Sequence, residues 1–268
     1  MDLEEVQDEL IAELQEGVTI VASDHPIGVL GDTFDTLCDA FAGLGLCRLL
    51  TRADVELFRI DLTRAAQARV HYLRRMVTAG LLHDRHLALS RVPAAMDALV
   101  AGNLALAREV AALSPAQYLE QREYEEDHCW FLGIHRLTLD PASRVGDLAD
   151  RMDTVQGEAS PRSQALRALE ARDRPGLLAA LESLLDEEQA RLDAARDSAA
   201  VHEGEPLHWP HSFVSIEGLA LLQVGDLCGL QVRDAGDTRE LARCPPLARV
   251  PLDNYPFDDL LEEVARAS

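Results

Sequence analysis

Residues 52–77 read RADVELFRIDLTRAAQARVHYLRRMV, and the glycine at 80 follows shortly after. Val55, Phe58, Leu62, Ala65, Ala66, Leu73 and Val77 recur at the three-and-four spacing of one helical face, with arginines and polar groups between them. The stretch therefore predicts a long amphipathic helix stopped at Gly80, and a long helix with one apolar face needs other helices to cover it.

The neighbouring sequence supplies them. Leu3, Val6, Leu10, Ile11 and Leu14 form a second stripe, with Glu4, Glu5, Asp8, Glu9 and Glu16 elsewhere around the turn. Asp32 and Thr33 offer a cap for a helix carrying Phe34, Leu37, Cys38 and Phe41. Three later starts share a proline in the first turn. Ser114-Pro115 with Gln117 reads as a capping box, Ser160-Pro161 opens Arg162 to Ala171, and Asp173 with Pro175 opens Gly176 to Ala199. That last helix turns Leu177, Leu181, Leu184, Leu185 and Leu192 inward. The β-like runs are short, Val18 to Ala22 and Leu230 to Val232. Residues 140–160 and 201–211 read as loops, the second around Trp209.

These signals predict an all-α fold, a single helical domain of about nine to ten helices built from helical hairpins. Acidic N-terminal helices occupy residues 1–60, a helical core 61–230, and a Pro-rich segment with a short final helix 231–268. Residues 98–103 and 168–173 echo one another, each a helix end followed by a polar turn and a second helix.

Charge narrows the function. The 268 residues hold 47 acids against 25 bases, every base an arginine, for a net charge of -22. Residues 61–120 are the exception, with seven arginines and five acids. Binding nucleic acid needs clustered positive charge, so that class is excluded. The acidic start Met1-Asp2-Leu3-Glu4-Glu5 does not read as a signal peptide, and no apolar run is long enough to span a membrane. A cytoplasmic location is expected. Five widely spaced cysteines form no disulfide framework and agree with a reducing compartment.

Catalytic motifs are absent: no G-x-S-x-G, no G-x-G-x-x-G and, without lysine, no phosphate-binding P-loop. No enzymatic activity and no cofactor are expected. Glu125 and His128 stand three apart, the unit of di-iron bundles, but a full site needs two such units and two further Glu. His83 with His86, and His202, His208 and His211, are the other groups from which a metal enzyme could be assembled. No metal site is predicted.

Tyr118, the run Glu123-Tyr124-Glu125-Glu126-Asp127 and the apolar Trp130, Phe131 and Leu132 resemble a stretch of bacterial immunity proteins of polymorphic toxin systems. Ser212 to Leu222, ending in Cys228-Gly229-Leu230, is similar to the closing helix of those proteins. The resemblance covers residues 98–230 and points to the immunity protein 49 family, with the helical DNase-immunity group second. It implies an all-α protein that binds one cognate toxin and blocks it. Many such toxins are nucleases with basic clefts, which an acidic surface can occupy. On that reading Glu123, Glu125, Glu126, Asp127, Asp186, Glu187 and Glu188 face the partner. An α-helical adaptor holding a peptide between hairpins is the alternative.

Overall fold

A computed structural model describes residues 2–196, 210–232, 243–245, 247 and 257–267. Among them are eleven α-helices and no strand. Helix α1 (Leu3–Ala22) starts at a capping box in which the Asp2 side chain and Glu5 satisfy each other's backbone amides. Its buried face is Val6, Leu10, Leu14, Val18 and Val21. The β-like run at 18–22 is therefore the end of a helix: Val18 and Val21 are three apart and continue the α1 stripe.

Helix α2 (Gly31–Arg52) is buried on nearly every side, because α1 covers one flank and α3 (Val55–Ala79) another. Leu30, not Asp32, takes the cap position, and Asp32 instead pairs with Arg85. Asp54 caps α3 by accepting from the Leu57 amide. Gly80, at φ 69°, ends it in the left-handed conformation that glycine adopts without a steric penalty.

The remaining helices follow in hairpins: α4 (Ala94–Ala101) with α5 (Leu104–Leu113), then α6 (Glu125–Leu139), α7 (Gly146–Gln156), α8 (Pro161–Ala171) and α9 (Arg174–Arg196), each against the next. Helix α10 (Ile216–Leu227) returns to pack on α4 and α9, and α11 (Phe257–Ala267) closes on α1. One apolar cluster runs from Val6 through Trp130 to Phe257, so residues 1–60 share the core of the later helices. No helix among the described residues is long and apolar enough to cross a membrane.

The internal echo has a local cause. Gly102 and Arg172 are both left-handed caps, and Asn103 and Asp173 then cap the next helix with their side chains. The repeated feature is one tight interhelical turn. Other expectations change as well. Ser114 ends α5, its hydroxyl donating to the Val110 carbonyl, and no helix follows Pro115. Residues 140–160 contain α7, which buries Leu148, Ala149 and Met152. Leu230 to Val232 form no strand, and residues 197–209 with Trp209 lie outside the described set.

All five cysteines are buried and unbridged, and burial pushes the Cys244 thiol up to about 12. Asp97 is the least comfortable polar group. It is buried within α4 and its Oδ1 has no hydrogen-bond partner. Burial, with a smaller contribution from Asp39, raises its carboxyl well above the carboxylate range. The folded state therefore holds a proton that the unfolded chain releases near pH ~4. Stability from this group is present below that pH and lost as pH rises. Asp97→Asn is expected to stabilise the protein at pH 8 by about 1–3 kcal/mol. The gain should shrink towards pH 5 in urea titrations. A gain that is absent, or larger in acid, would contradict this assignment.

Candidate functional site

The starts of α6, α8 and α10 converge on a cleft of about 600 Å³, completed by α4, α9 and Arg243. Each start brings a charge. Asp127 stands in the first turn of α6, Glu217 in the first turn of α10, both suited to the positive end of a helix. Arg162 lies in the first turn of α8, fixed there by the Ser160 capping box and Pro161. A cation is unfavourable at a helix start, and two carboxylates compensate it. Arg162 donates Nε and Nη2 to Glu217, both at 2.7 Å, and Nη1 to Asp127 at 2.7 Å. Its guanidinium also lies 5.7 Å from the centre of the buried Trp130 ring. Burial works to lower the Arg162 pKa, but Glu217 and Asp127 outweigh it and hold the group more firmly charged than a free arginine.

Opposite, Glu188 of α9 accepts from Arg243 Nη1 at 2.7 Å and from the Ser215 hydroxyl at 3.2 Å. Ser215 also caps α10, and its amide donates to the Arg243 carbonyl. Burial first, then the nearby Glu217, raises the Glu188 carboxyl. Pro93, Met96, Phe131, Val214 and Ile216 supply the apolar walls, and Arg191 stands exposed at the rim. Fixed charges stand over apolar walls, an arrangement that can receive a side chain of matching polarity.

The sequence singled out seven carboxylates as partner-facing, and the structure separates them. Asp127 and Glu188, 61 positions apart, meet in the cleft. Glu125 pairs with Arg151, and Glu126 is half-buried on α6. Asp186 and Glu187 are exposed on α9. Glu123 is turned inward, its side chain 0% exposed. It accepts from the Ser90 and Leu119 amides, the Ser90 hydroxyl and a ring nitrogen of His128. Burial would raise its pKa, but the hydrogen bonds from His128, Leu119 and Ser90 lower it. Glu123 thus organises the loop before α6 and presents no charge to a partner.

The histidines are dispersed. His128 serves Glu123, not Glu125. His86 is buried against Asp35, whereas His83 is exposed. His211 lines the cleft, and His202 and His208 lie outside the described residues. Among the described residues no three His, Cys, Asp or Glu are grouped as metal ligands.

A second buried network gave no signal in sequence. Asp35, in the second turn of α2, receives Arg91 Nε at 2.7 Å and lies 2.6 Å from His86 Nδ1, with Arg69 at 3.6 Å. It ties α2 to α3 and to the chain before α4. No protein-family model matches the chain, and neither a curated protein nor a solved structure matches it.

Proposed function

We propose that this protein binds a basic effector toxin and neutralises it, using carboxylates exposed on α9 and α1. The supporting observation is the division of charge. Arginines are drawn into internal pairs: Arg48 and Arg64 on Asp61, Arg69 and Arg91 on Asp35, Arg162 on Asp127 and Glu217, Arg167 on Asp150 and Asp153. The surplus acids are left outside. Glu182, Asp186 and Glu187 are exposed on α9, and Glu4, Glu5, Asp8, Glu9, Glu13 and Glu16 on α1; none has an ion pair among the described residues. Such a surface attracts a positively charged protein and speeds its capture. The toxin's being the partner rests on the resemblance of residues 98–230 to immunity proteins.

The cleft favours a second reading, an adaptor that holds a peptide between helical hairpins, because its apolar walls and fixed charges suit an inserted side chain. Reversing Glu182, Asp186 and Glu187 to lysine separates the two. For a toxin captured by charge, association should slow at least tenfold at low salt and the salt dependence should flatten. Unchanged association kinetics would remove α9 from the interface. Loss of binding on filling the cleft with Ser215→Trp, with the reversals silent, would favour the adaptor.

A further inference from the structure

Helix α11 is anchored by its first residue. Phe257 is buried, its ring nearly perpendicular to Phe41 of α2 at 6.3 Å and to His71 of α3 at 5.8 Å between centres. His71 in turn stacks on the buried Phe34. The Phe257 amide, one of the donors that a helix start leaves without a partner inside the helix, donates to Gln67 Oε1 at 3.1 Å. Asp258 Oδ1 lies 3.0 Å from His71 Nδ1, and a carboxylate suits the first turn of a helix. Gln67 and His71, one turn apart on α3, thus hold two successive residues of α11.

Past this anchor the contact thins. Leu260 and Leu261 are half-buried, and Asp258, Asp259 and Glu262 are exposed. Helix α10, of similar length, buries eight of its twelve residues. The main neighbour of α11 is α1, whose acids from Glu4 to Glu16 are all exposed and which has no basic residue. Helix α11 itself carries four acids and one arginine. Two acidic helices side by side repel each other. An isolated helix shorter than about 12 residues is marginal in water, so α11 depends on its docked position to stay helical.

We propose that α11 is a strap that opens from and closes on the α1–α3 surface, seated by Phe257 and opposed by the like charge of α1. Closed, it buries Phe257 and adds its carboxylates to those of α1. Open, it uncovers the Phe41 and His71 rings. A cation on α1 and α11 offsets the repulsion and favours the closed form. A basic partner would therefore tighten the strap, and the strap would strengthen its capture by the same factor. Only this coupling to a partner rests on the basic-toxin reading; the strap itself does not.

Hydrogen exchange followed by mass spectrometry on the full chain alone measures the closed fraction, with a synthetic peptide of residues 257–267 as the unprotected reference. The α11 amides should exchange through local opening, roughly tenfold or more faster than the buried amides of α2 and α3. Raising salt from roughly 0.02 to 0.5 M should slow α11 about threefold or more and leave α2 and α3 unchanged, because screening removes the repulsion. At low salt, spermine, a polycation, should slow α11 in the same way. Phe257→Ala should remove the protection of α11 and spare that of α2. Because no toxin is needed, failure of the strap and failure of the toxin reading are told apart. Protection of α11 equal to that of α2 and α3, protection that stays constant or falls as salt is raised, or protection that survives Phe257→Ala would overturn the proposal.

Discussion

Replacing Asp35 with alanine is expected to destabilise the protein by about 3–5 kcal/mol, because it strands the buried guanidinium of Arg69. Asp35 and Arg69 side chains are 7% and 4% exposed, and Arg91 and His86 approach the same carboxylate within hydrogen-bonding distance. Without Asp35, Arg69 would keep its long contact to the Ala88 carbonyl and no carboxylate. For a chain of this size such a loss lowers the midpoint of thermal unfolding by roughly 10 °C. Gly31→Ala offers an independent route to the same network, since a Cβ at that position would overlap the His86 ring. Both variants should lose stability in urea titration. A cost below about 1 kcal/mol for Asp35→Ala would mean that the network is not a structural tie.

The second large effect is expected at Arg162. Arg162→Ala leaves Asp127 and Glu217 facing each other across the cleft and uncovers the buried Trp130. The side chains are only 18%, 31% and 15% exposed, so solvent compensates in part. A loss of about 2–4 kcal/mol follows, at the lower end of what breaking a buried pair costs. The paired design of the site supplies its own control. Neutralising the carboxylates in the triple variant Arg162→Met, Asp127→Asn, Glu217→Gln should recover a large part of the loss, since no charge is then left unmatched. Destabilisation that adds across the three positions would contradict the coupling.

The sequence carried much of the architecture. Helix α3 and its stop at Gly80 were legible because a long stripe and a terminating glycine agreed. Helix α8 was legible because Ser160-Pro161 is followed by residues with an apolar face, Ala165, Leu166 and Leu169. Ser114-Pro115 carries the same opening signal but is followed by no such face. Without apolar side chains to bury, the cap signal did not start a helix, and Ser114 closed the preceding one. Helix α7 was obscured by Gly146 and Gly157, which bound it, and by the exposed Asp147 and Asp150.

The site was legible only by region. Local spacing locates Asp127 and Glu188 on helices, but it does not say that α8, α10 and Arg243 come to meet them. Glu123 shows the limit most clearly. It belongs to a run of acids whose density suggests solvent, yet unpaired loop amides and His128 draw its carboxylate inside. Asp35 depends on partners 34, 51 and 56 positions away, so no sequence window contains its role. Val77 shows a related limit, since it reads as part of a core stripe but lies in the last turn of α3 and is 52% exposed.

The most direct test of the central claim is recovery of the tagged protein from its native cells, with identification of any bound polypeptide and assay of that polypeptide with and without this chain. The account predicts a basic polypeptide in one-to-one ratio, toxic when expressed alone and inactive in the complex. A stoichiometric partner that is acidic, or one whose activity is unchanged by this chain, would contradict it, as would recovery of the chain alone from cells that express such a toxin.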